Sequence, residues 1–480
     1  NCKQYFRLIL KFWRKNFLFF QNNPYNGPEG LRFIGNVPLI KRLSREKGGL
    51  HLAFSSLAEQ FKTSILGLQL GSDLVVVVFS EDNLAAVHLD EVSTPDPTTF
   101  SLDSALLFAL KHLHQLGFGK VKVKNLIKEE ISHFLELALV WRVELDLSAV
   151  LNVLWTVVAG TRFSLDDPKL GRLLELMNSR SKAFDFSGGL LNRFPWMRFL
   201  APEKSGYKLI SNLNSELRKF LMDEIEKHKG TRTDEVRDFM DLYLKKIDAP
   251  GTDKEDQLVA VCLDFFIAGS HTTSDTLGFA LLAMTRYPDI QAKVQRCLDA
   301  AVLPGTASEL AMNYVSAVLL EAMRSCFVAP TSGPRRATRT TTVGGYTIPQ
   351  GTTVLMSIHS ILNDKKRWSD PEVFRPERFL DSDGNITNSD GKRRCIGEAL
   401  ARNFIFQFFT CLLYHFKFSA IPDKPLPTTP VAGIFLSPQP FHVNLRPRIS
   451  KQIAEPGSKF PHPVLAAEIG LEEYSTLRRR

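Results

Sequence analysis

The chain has 480 residues, of which 44% are hydrophobic and 23% are charged. This ordinary globular composition excludes the disordered and fibrous classes, and the length is ample for a large core. The 60 basic and 51 acidic residues leave a net charge of +9, which suits an acidic protein partner or an anionic membrane surface. No nucleic-acid-binding motif accompanies the basic residues, so a nucleic-acid partner is not predicted.

Residues 1–21 are predicted to be a partial membrane-associating segment. Aromatic and aliphatic side chains are interrupted there by Lys and Arg residues. A membrane-spanning helix needs about 20 mostly uncharged residues, whereas a basic aromatic helix is suited to the headgroup region. We therefore expect this segment to lie on a membrane surface. The Pro-, Gly- and Asn-rich residues 22–35 are predicted to connect it to the folded body.

The pattern of the folded body predicts a mainly α fold with minor β structure. Two apolar runs around Gly71 and Asp73 predict a hairpin over residues 64–79. Strand patterns return at residues 336–360, and residues 435–445 are predicted to form another short hairpin. The predicted helical stretches are residues 124–160, 205–230, 255–287, 307–326 and 395–416.

The helix predicted over residues 255–287 contains the small and polar stretch AGSHTT at residues 268–273. Glycine costs about 1 kcal/mol in a helix interior relative to alanine, and hydroxyl groups beside it can bond the helix carbonyls. One interpretation is a groove for a flat cofactor and dioxygen, with Thr272 as the hydroxyl that handles oxygen. The alternative is a kinked packing helix.

A charged pair at i and i+3, Glu321 and Arg324, lies on the next predicted helix, residues 307–326. Such pairs are common on helix surfaces, where they contribute a few tenths of a kcal/mol. The proline-punctuated residues 371–379 offer Arg378 as a second guanidinium for Glu321. A buried glutamate shared by two arginines would be a structural lock and not a catalytic site.

Cys395 lies in the stretch GKRRCIG at residues 391–397, directly before an apolar helix. Nearby cations and a helix N-terminus favour the thiolate, which is the form that binds iron. The alternative is an ordinary buried cysteine, because free cysteine behaves mostly as a small apolar residue. The six cysteines form no metal or disulfide framework, which fits a reducing compartment.

Four motifs in this order and at these spacings resemble the cytochrome P450 superfamily: AGxxTT, ExxR, PERF and GxRxCxG. The resemblance covers about residues 22–449 and implies the cytochrome P450 fold, with heme between the long central helix and the helix that follows the cysteine. It makes residues 22–449 the catalytic domain and residues 450–480 an atypical C-terminal tail.

The same resemblance assigns site residues. Heme b would be ligated by Cys395, and Glu321, Arg324 and Arg378 would lock the fold. Arg335 and Arg393 match positions that bind heme propionates, for which guanidinium forks are suited. The implied cofactor-binding residues are Cys395, Arg393, Arg335, Gly391 and Gly397, and the implied catalytic residues are Thr272, His271, Ala268 and Gly269.

The implied function is a monooxygenase that inserts one oxygen atom from dioxygen into a lipophilic small molecule, by hydroxylation or epoxidation. The expected electron donor is NADPH-cytochrome P450 reductase, with cytochrome b5 as an additional partner. The expected location is the cytoplasmic face of the endoplasmic reticulum membrane. Residues 28–38 resemble the hinge of animal microsomal members of clan 2, and residues 187–203 resemble insect relatives of methyl farnesoate epoxidase.

Three departures from the family pattern involve four positions. Asn388 stands where the family has Phe, and Leu102 and Leu106 stand where it has Trp and Arg. His271 replaces the acidic residue before the threonine, so it is either a proton relay or a polar core histidine. Asn388, Leu102 and Leu106 favour an alternative, an inactive paralogue or the product of a wrongly assembled gene sequence, which binds lipophilic ligand or membrane without turnover. A third alternative, peroxide rearrangement without a reductase, is disfavoured by Thr272.

Overall fold

The computed structural model describes residues 26–31, 34–71, 73–83, 93–95, 121–140, 148–164, 167–183, 197–231, 233, 236–247, 254–302, 309–387, 395, 397–433 and 435–448. The helices are α1 (Val37–Lys47), α2 (Leu50–Gln60), α3 (Val121–Val140), α4 (Ser148–Ala159), α5 (Pro168–Ala183), α6 (Met197–Leu200), α7 (Tyr207–Gly230), α8 (Phe239–Ile247), α9 (Lys254–Arg286), α10 (Pro288–Val302), α11 (Glu309–Ser325), α12 (Ile358–Leu362), α13 (Lys365–Trp368), a 3-10 helix (Pro376–Phe379) and α14 (Glu398–His415). The strands are β1 (Ile65–Leu70), β2 (Asp73–Val78), β3 (Ser93–Pro95), β4 (Arg335–Ala337), β5 (Thr341–Val343), β6 (Tyr346–Ile348), β7 (Thr353–Met356), β8 (Phe416–Ala420) and β9 (Val443–Pro447). The mainly α fold with minor β is confirmed.

The largest hydrophobic cluster surrounds α9, which packs against α4 and α14. Trp155 of α4 stacks on Phe266 of α9 with ring centroids 5.7 Å apart, and on Phe163 at 4.9 Å. Phe404 and Phe408 of α14 stack at 4.3 Å within the same cluster. Because aromatic side chains bury large areas, these contacts hold the three helices in fixed relative positions.

The main sheet has the strand order β1-β2-β7-β4-β3. β1 and β2 form the predicted hairpin, in which Gly71 adopts φ of 65°, a conformation that glycine accepts without steric cost. β7 adds parallel to β2, and β4 pairs antiparallel with β7, so that Arg335 is opposite Val354. The sheet therefore fixes the backbone position of Arg335.

Two predictions of secondary structure were wrong in detail. Residues 124–160 form two helices, α3 and α4, and not one stretch. Residues 435–445 do not form a hairpin, because β9 pairs with β8, whose Phe416 and Phe418 are buried in the core. A local pattern indicates that a strand forms, whereas burial of one face of the pair selects its partner. The other helices that were predicted lie within a few residues of α7, α9, α11 and α14.

Within the part of the chain that the structure describes, no helix combines the length and hydropathy needed to cross a membrane. The predicted membrane-associating residues 1–21 and the tail at residues 450–480 lie outside the described residues. The division of the chain into these segments and a catalytic domain stays a prediction.

Candidate functional site

Helix α9 stays continuous through the AGSHTT stretch. The hydroxyl of Ser270 donates to the carbonyl of Phe266 at 2.5 Å, Thr272 donates to Ala268 at 2.6 Å, and Thr276 donates to Thr272 at 2.6 Å. These bonds satisfy hydroxyl groups inside a helix without displacing its own hydrogen bonds. The stretch is therefore a polar section of a regular helix.

One face of α9 is open although the helix runs through the core. Ala268 is exposed, and Thr272 and Asp275 are partly exposed, whereas Thr273 and Leu277 are buried. These three residues are spaced i, i+4 and i+7, so they share one face of the helix, and other residues of this section, such as Ser274 and Thr276, are partly exposed as well. We call Ala268, Thr272 and Asp275 the open face of α9. It presents a methyl group, a hydroxyl and a carboxyl group to the same space.

Gly269 points away from that space toward α4. A Cβ atom at this position would lie 3.0 Å from Cδ1 of Leu154. The close approach that the glycine permits is therefore with another helix of the core, and the described contacts give Gly269 a packing role.

His271 is held in a neutral form. Its ring donates a hydrogen bond to the main-chain carbonyl of Met177, and Nε2 is buried without a hydrogen-bond partner among the described residues. Burial disfavours the charged imidazolium and lowers the pKa of His271. The ring thus offers a lone pair at Nε2, where the family pattern has a carboxyl group.

Cys395 lies at the N-terminal end of α14. Its carbonyl accepts a hydrogen bond from the amide of Glu398 in the first turn, and a Cβ atom on Gly397 would lie 4.0 Å from its Sγ. Its thiol is free and exposed, whereas the free thiol of Cys411, within α14, is buried. The positive end of a helix dipole stabilises a thiolate. Gly391 and Arg393 lie outside the described residues.

The predicted lock around Glu321 is confirmed. Arg324 donates to both carboxylate oxygens of Glu321 at 2.7 and 2.9 Å, and Nε of Arg378 donates at 3.2 Å. The main-chain amide of Arg375 adds a fourth bond at 2.9 Å. All three charged side chains are at most 5% exposed. Removing one partner of such a buried group leaves an uncompensated charge.

The guanidinium groups of the lock also bind main-chain carbonyls. Arg324 donates to Leu362 and Pro371 at 2.8 and 2.7 Å, and Arg378 donates to Trp368 at 2.8 Å. The lock therefore ties α11 to the irregular segment that leads toward Cys395.

Asp275 is a residue of the open face of α9 that the sequence analysis did not single out. Ser437 Oγ donates to its Oδ2 at 2.8 Å, and burial raises the pKa of the Asp275 carboxyl group to about 6. The available signal was its spacing of three residues from Thr272, which places the two on one helix face. Its burial and its contact with Ser437, 162 positions along the chain, are properties of the tertiary structure.

The residues present fit a heme group. A free thiol at a helix N-terminus is a suitable iron ligand, and the helix that packs against α14 has an open face with a small residue and a hydroxyl. Cys395 would hold the iron, and Ala268 and Thr272 would line the oxygen side. Arg335, fixed in β4, and Arg393 stay the predicted partners of the propionates.

Comparison with known proteins identifies the family. The sequence profile of the cytochrome P450 family matches residues 26–445. The chain belongs to the cytochrome P450 family. Proteins of this P450 family bind heme through a cysteine thiolate and act as monooxygenases, so the predicted cofactor and enzyme class are confirmed.

Relatives of this P450 are similar over nearly their whole length. It is 36% identical over 473 residues to the probable cytochrome P450 305a1 of Drosophila melanogaster, covering 88% of this chain and 94% of the relative. It is 32% identical over 462 residues to the farnesoate epoxidase of Bombyx mori, covering 88% and 93%. Human cytochrome P450 2J2 is 31% identical over 463 residues, covering 86% and 89%. The predicted relation to insect enzymes of this type is consistent with these matches.

Replacing Asp275 by asparagine in this P450 is expected to stabilise the fold above pH 6. Burial raises the pKa of the carboxyl group from 3.8 to about 6, so the native state binds more protons than the unfolded state between these values. Stability therefore falls as the pH rises through this window. Asparagine has no charge to bury, so it is expected to raise the free energy of unfolding by up to about 3 kcal/mol above pH 6. Below pH 4 the change should be almost zero.

Chemical unfolding of both proteins at several pH values checks this prediction. The exposed Asp289→Asn on α10 is a control that should give no such gain in stability above pH 6. A stability gain of equal size at pH 4 and pH 7 would contradict the assigned cause.

Proposed function

We propose that this P450 inserts one oxygen atom from dioxygen into a lipophilic small molecule by hydroxylation or epoxidation, with electrons from NADPH through a reductase. The observation that carries the proposal is the free, exposed thiol of Cys395 at the start of α14, which packs against the helix that carries Ala268 and Thr272. When bound, heme supplies the activation of dioxygen, which a thiolate ligand promotes.

Thr272 is proposed as the hydroxyl that handles oxygen. Its proton is held on the carbonyl oxygen of Ala268, so the lone pairs of Oγ1 are available toward the open face of α9. His271 can accept a proton at Nε2 only against the cost of charging a buried ring. We therefore assign His271 the role of a neutral acceptor beside Thr272, and not that of a stored proton.

The substrate is proposed to be lipophilic because the segments around Val328 and Leu436, which the family resemblance places beside the substrate, contain buried apolar side chains. Val328 and Leu436 are buried, and the Leu436 amide donates to the carbonyl of Val328 at 2.7 Å. Phe279 and Leu282 of α9 belong to the same apolar cluster as Val328. The similar protein of Bombyx mori is named a farnesoate epoxidase, which favours epoxidation over hydroxylation.

Association with the cytoplasmic face of the endoplasmic reticulum membrane is part of the proposal. Phe199, Leu200 and Leu209 are 70%, 76% and 52% exposed around the turn between α6 and α7. The guanidinium of Arg198 lies 4.6 Å from the centroid of the Phe199 ring. Exposed apolar side chains beside a basic residue are suited to a lipid headgroup region.

Electron delivery is proposed to occur from NADPH-cytochrome P450 reductase, with cytochrome b5 as an additional partner. The net charge of +9 and the basic residues Lys392 and Arg394 beside Cys395 support an acidic partner on this side. These two residues lie outside the described part of the chain, so their support comes from the sequence alone.

The carbon monoxide difference spectrum of the reduced, purified protein tests the proposal. We expect a red-shifted Soret band, followed by product formation from lipophilic compounds that requires both NADPH and reductase. A protein that folds but shows no heme band would support the alternative, an inactive paralogue, which Leu102, Leu106 and Asn388 favour. A red-shifted band without turnover by any reductase would contradict the monooxygenase assignment.

A further inference from the structure

The open face of α9 contains one carboxyl group that the proposed oxygen chemistry does not use. Asp275 is partly exposed, and it follows Ala268 by seven residues and Thr272 by three, so all three side chains lie on one face. The residues on the opposite side of this turn, Thr273 and Leu277, are buried in the core. A charged group therefore borders the same space as the two residues assigned to the oxygen side.

Asp275 has unused capacity as a hydrogen-bond acceptor. An ionised carboxylate can accept about four hydrogen bonds. Within the described residues, its one partner is the hydroxyl of Ser437 at 2.8 Å, and no lysine, arginine or histidine forms an ion pair with it. The pKa of about 6 leaves the group mainly ionised at neutral pH. A half-buried carboxylate with one donor is stabilised by any further donor that approaches it.

The partner Ser437 is held in place by its own backbone. Its amide donates to the carbonyl of Val431 at 3.1 Å, and its carbonyl accepts from the Val431 amide at 2.8 Å. The neighbouring Pro438 contacts α9 closely, because a Cβ atom on Gly278 would lie 3.2 Å from its ring. The orientation of Asp275 is therefore set before any ligand binds, which reduces the entropic cost of binding.

The surroundings of this pair are apolar. Phe279 and Leu282, on the following turns of α9, pack with Val328, Phe435 and Phe441. A single carboxylate beside such a wall would provide one polar contact to a molecule that is otherwise apolar. Pockets of this kind derive orientation and specificity from a small number of polar groups.

We propose that Asp275, oriented by Ser437, is a specificity site that selects lipophilic substrates carrying one hydrogen-bond donor, an alcohol or ammonium group. Molecules of the same shape without a donor bind more weakly, and carboxylates bind most weakly because of charge repulsion. The proposal rests on the proposed function, since the apolar body of the substrate occupies the space beside the open face of α9. Hydrogen bonds to charged groups are worth about tenfold or more in affinity.

Three ligands of matched length test the proposal: dodecanol, dodecyl methyl ether and dodecanoate. Their affinities for the heme-loaded full chain are measured by isothermal titration calorimetry at about pH 7.5, where a group with pKa about 6 is ionised. Dodecanol is expected to bind about tenfold tighter than the ether, and dodecanoate more weakly than both. In Asp275→Asn, dodecanol should lose about that factor, dodecanoate should gain affinity, and the ether should be unchanged.

Asp256→Asn is the matched control, because it makes the same change in the first turn of the same helix, where the carboxylate pairs with Arg218 at the surface. It should leave all three affinities as they are. Equal affinity of the parent protein for dodecanol and the ether, no binding of dodecanol, or an equal loss of all three ligands in Asp275→Asn would each overturn the proposal.

The outcome is separable from that of the proposed function. Calorimetry requires neither electron transfer nor turnover. A preference for the alcohol without reductase-dependent turnover would support the specificity site and reject the monooxygenase. Turnover without that preference would support the monooxygenase and reject the specificity site.

Discussion

Replacing Glu321 by alanine is expected to destabilise the protein by about 3–5 kcal/mol, a large part of the stability of a typical domain. Glu321 is fully buried and accepts hydrogen bonds from Arg324, Arg378 and the amide of Arg375. Alanine leaves two guanidinium groups buried without their counter-charge. We also expect the heme content of the variant to fall, because the lock holds the segment that leads to Cys395.

Denaturant unfolding followed by circular dichroism measures the loss of stability in Glu321→Ala. Glu321→Gln keeps the size of the side chain but removes the charge, so it should be destabilised as well. Glu372→Ala is the control, because Glu372 is an exposed residue of the irregular segment that the lock holds. Surface changes usually cost less than about 0.5 kcal/mol. An unfolding midpoint of Glu321→Ala equal to that of the control would show that the lock makes no net contribution to the free energy of unfolding.

Replacing Cys395 by alanine is expected to abolish both the red-shifted carbon monoxide band and turnover. Within the described part of the chain, no other cysteine is placed to substitute, because the remaining cysteines there are buried or half-buried and burial raises the pKa of Cys262, Cys297, Cys326 and Cys411. Cys395 itself is exposed, so the stability of the heme-free protein should change little.

Cys411→Ala, within α14, is expected to give the opposite result: the band is retained and the protein is destabilised. Cys411 is fully buried, and its removal leaves a small cavity that should cost about 1 kcal/mol while the band is retained. Difference spectra and unfolding curves of the two variants separate ligation from packing. A red-shifted band that survives in Cys395→Ala would refute the assignment of the iron ligand.

Motif residues close together in sequence were predictable because helix geometry alone relates them. The i, i+3 spacing of Glu321 and Arg324 places them on one face of α11, and the confirmed lock required in addition only that Arg378 reach the same carboxylate. The same periodicity places Ala268 and Thr272 on one face of α9. The position of Cys395 before an apolar helix likewise needed no knowledge of distant segments.

The features that sequence reasoning missed depend on neighbours that are distant in the chain. Gly269 was interpreted as an opening toward a cofactor, but its neighbour is Leu154 of α4. The strand at β9 was predicted, yet its partner β8 was not, because local propensity carries no information about pairing. Asp275 drew no attention as one polar residue on a long helix.

Residue types and short spacings were enough to recognise the family and the charged residues of the lock, and to predict Cys395 as the iron ligand and Ala268 and Thr272 as oxygen-side residues. Such features can be recognised without knowledge of packing. Three further properties emerged only from the folded chain: His271 is neutral, Gly269 serves helix packing, and Asp275 is a half-buried carboxylate bonded to Ser437. Burial and partners fix ionisation and contact energies, and both are created only when distant segments of the chain pack together.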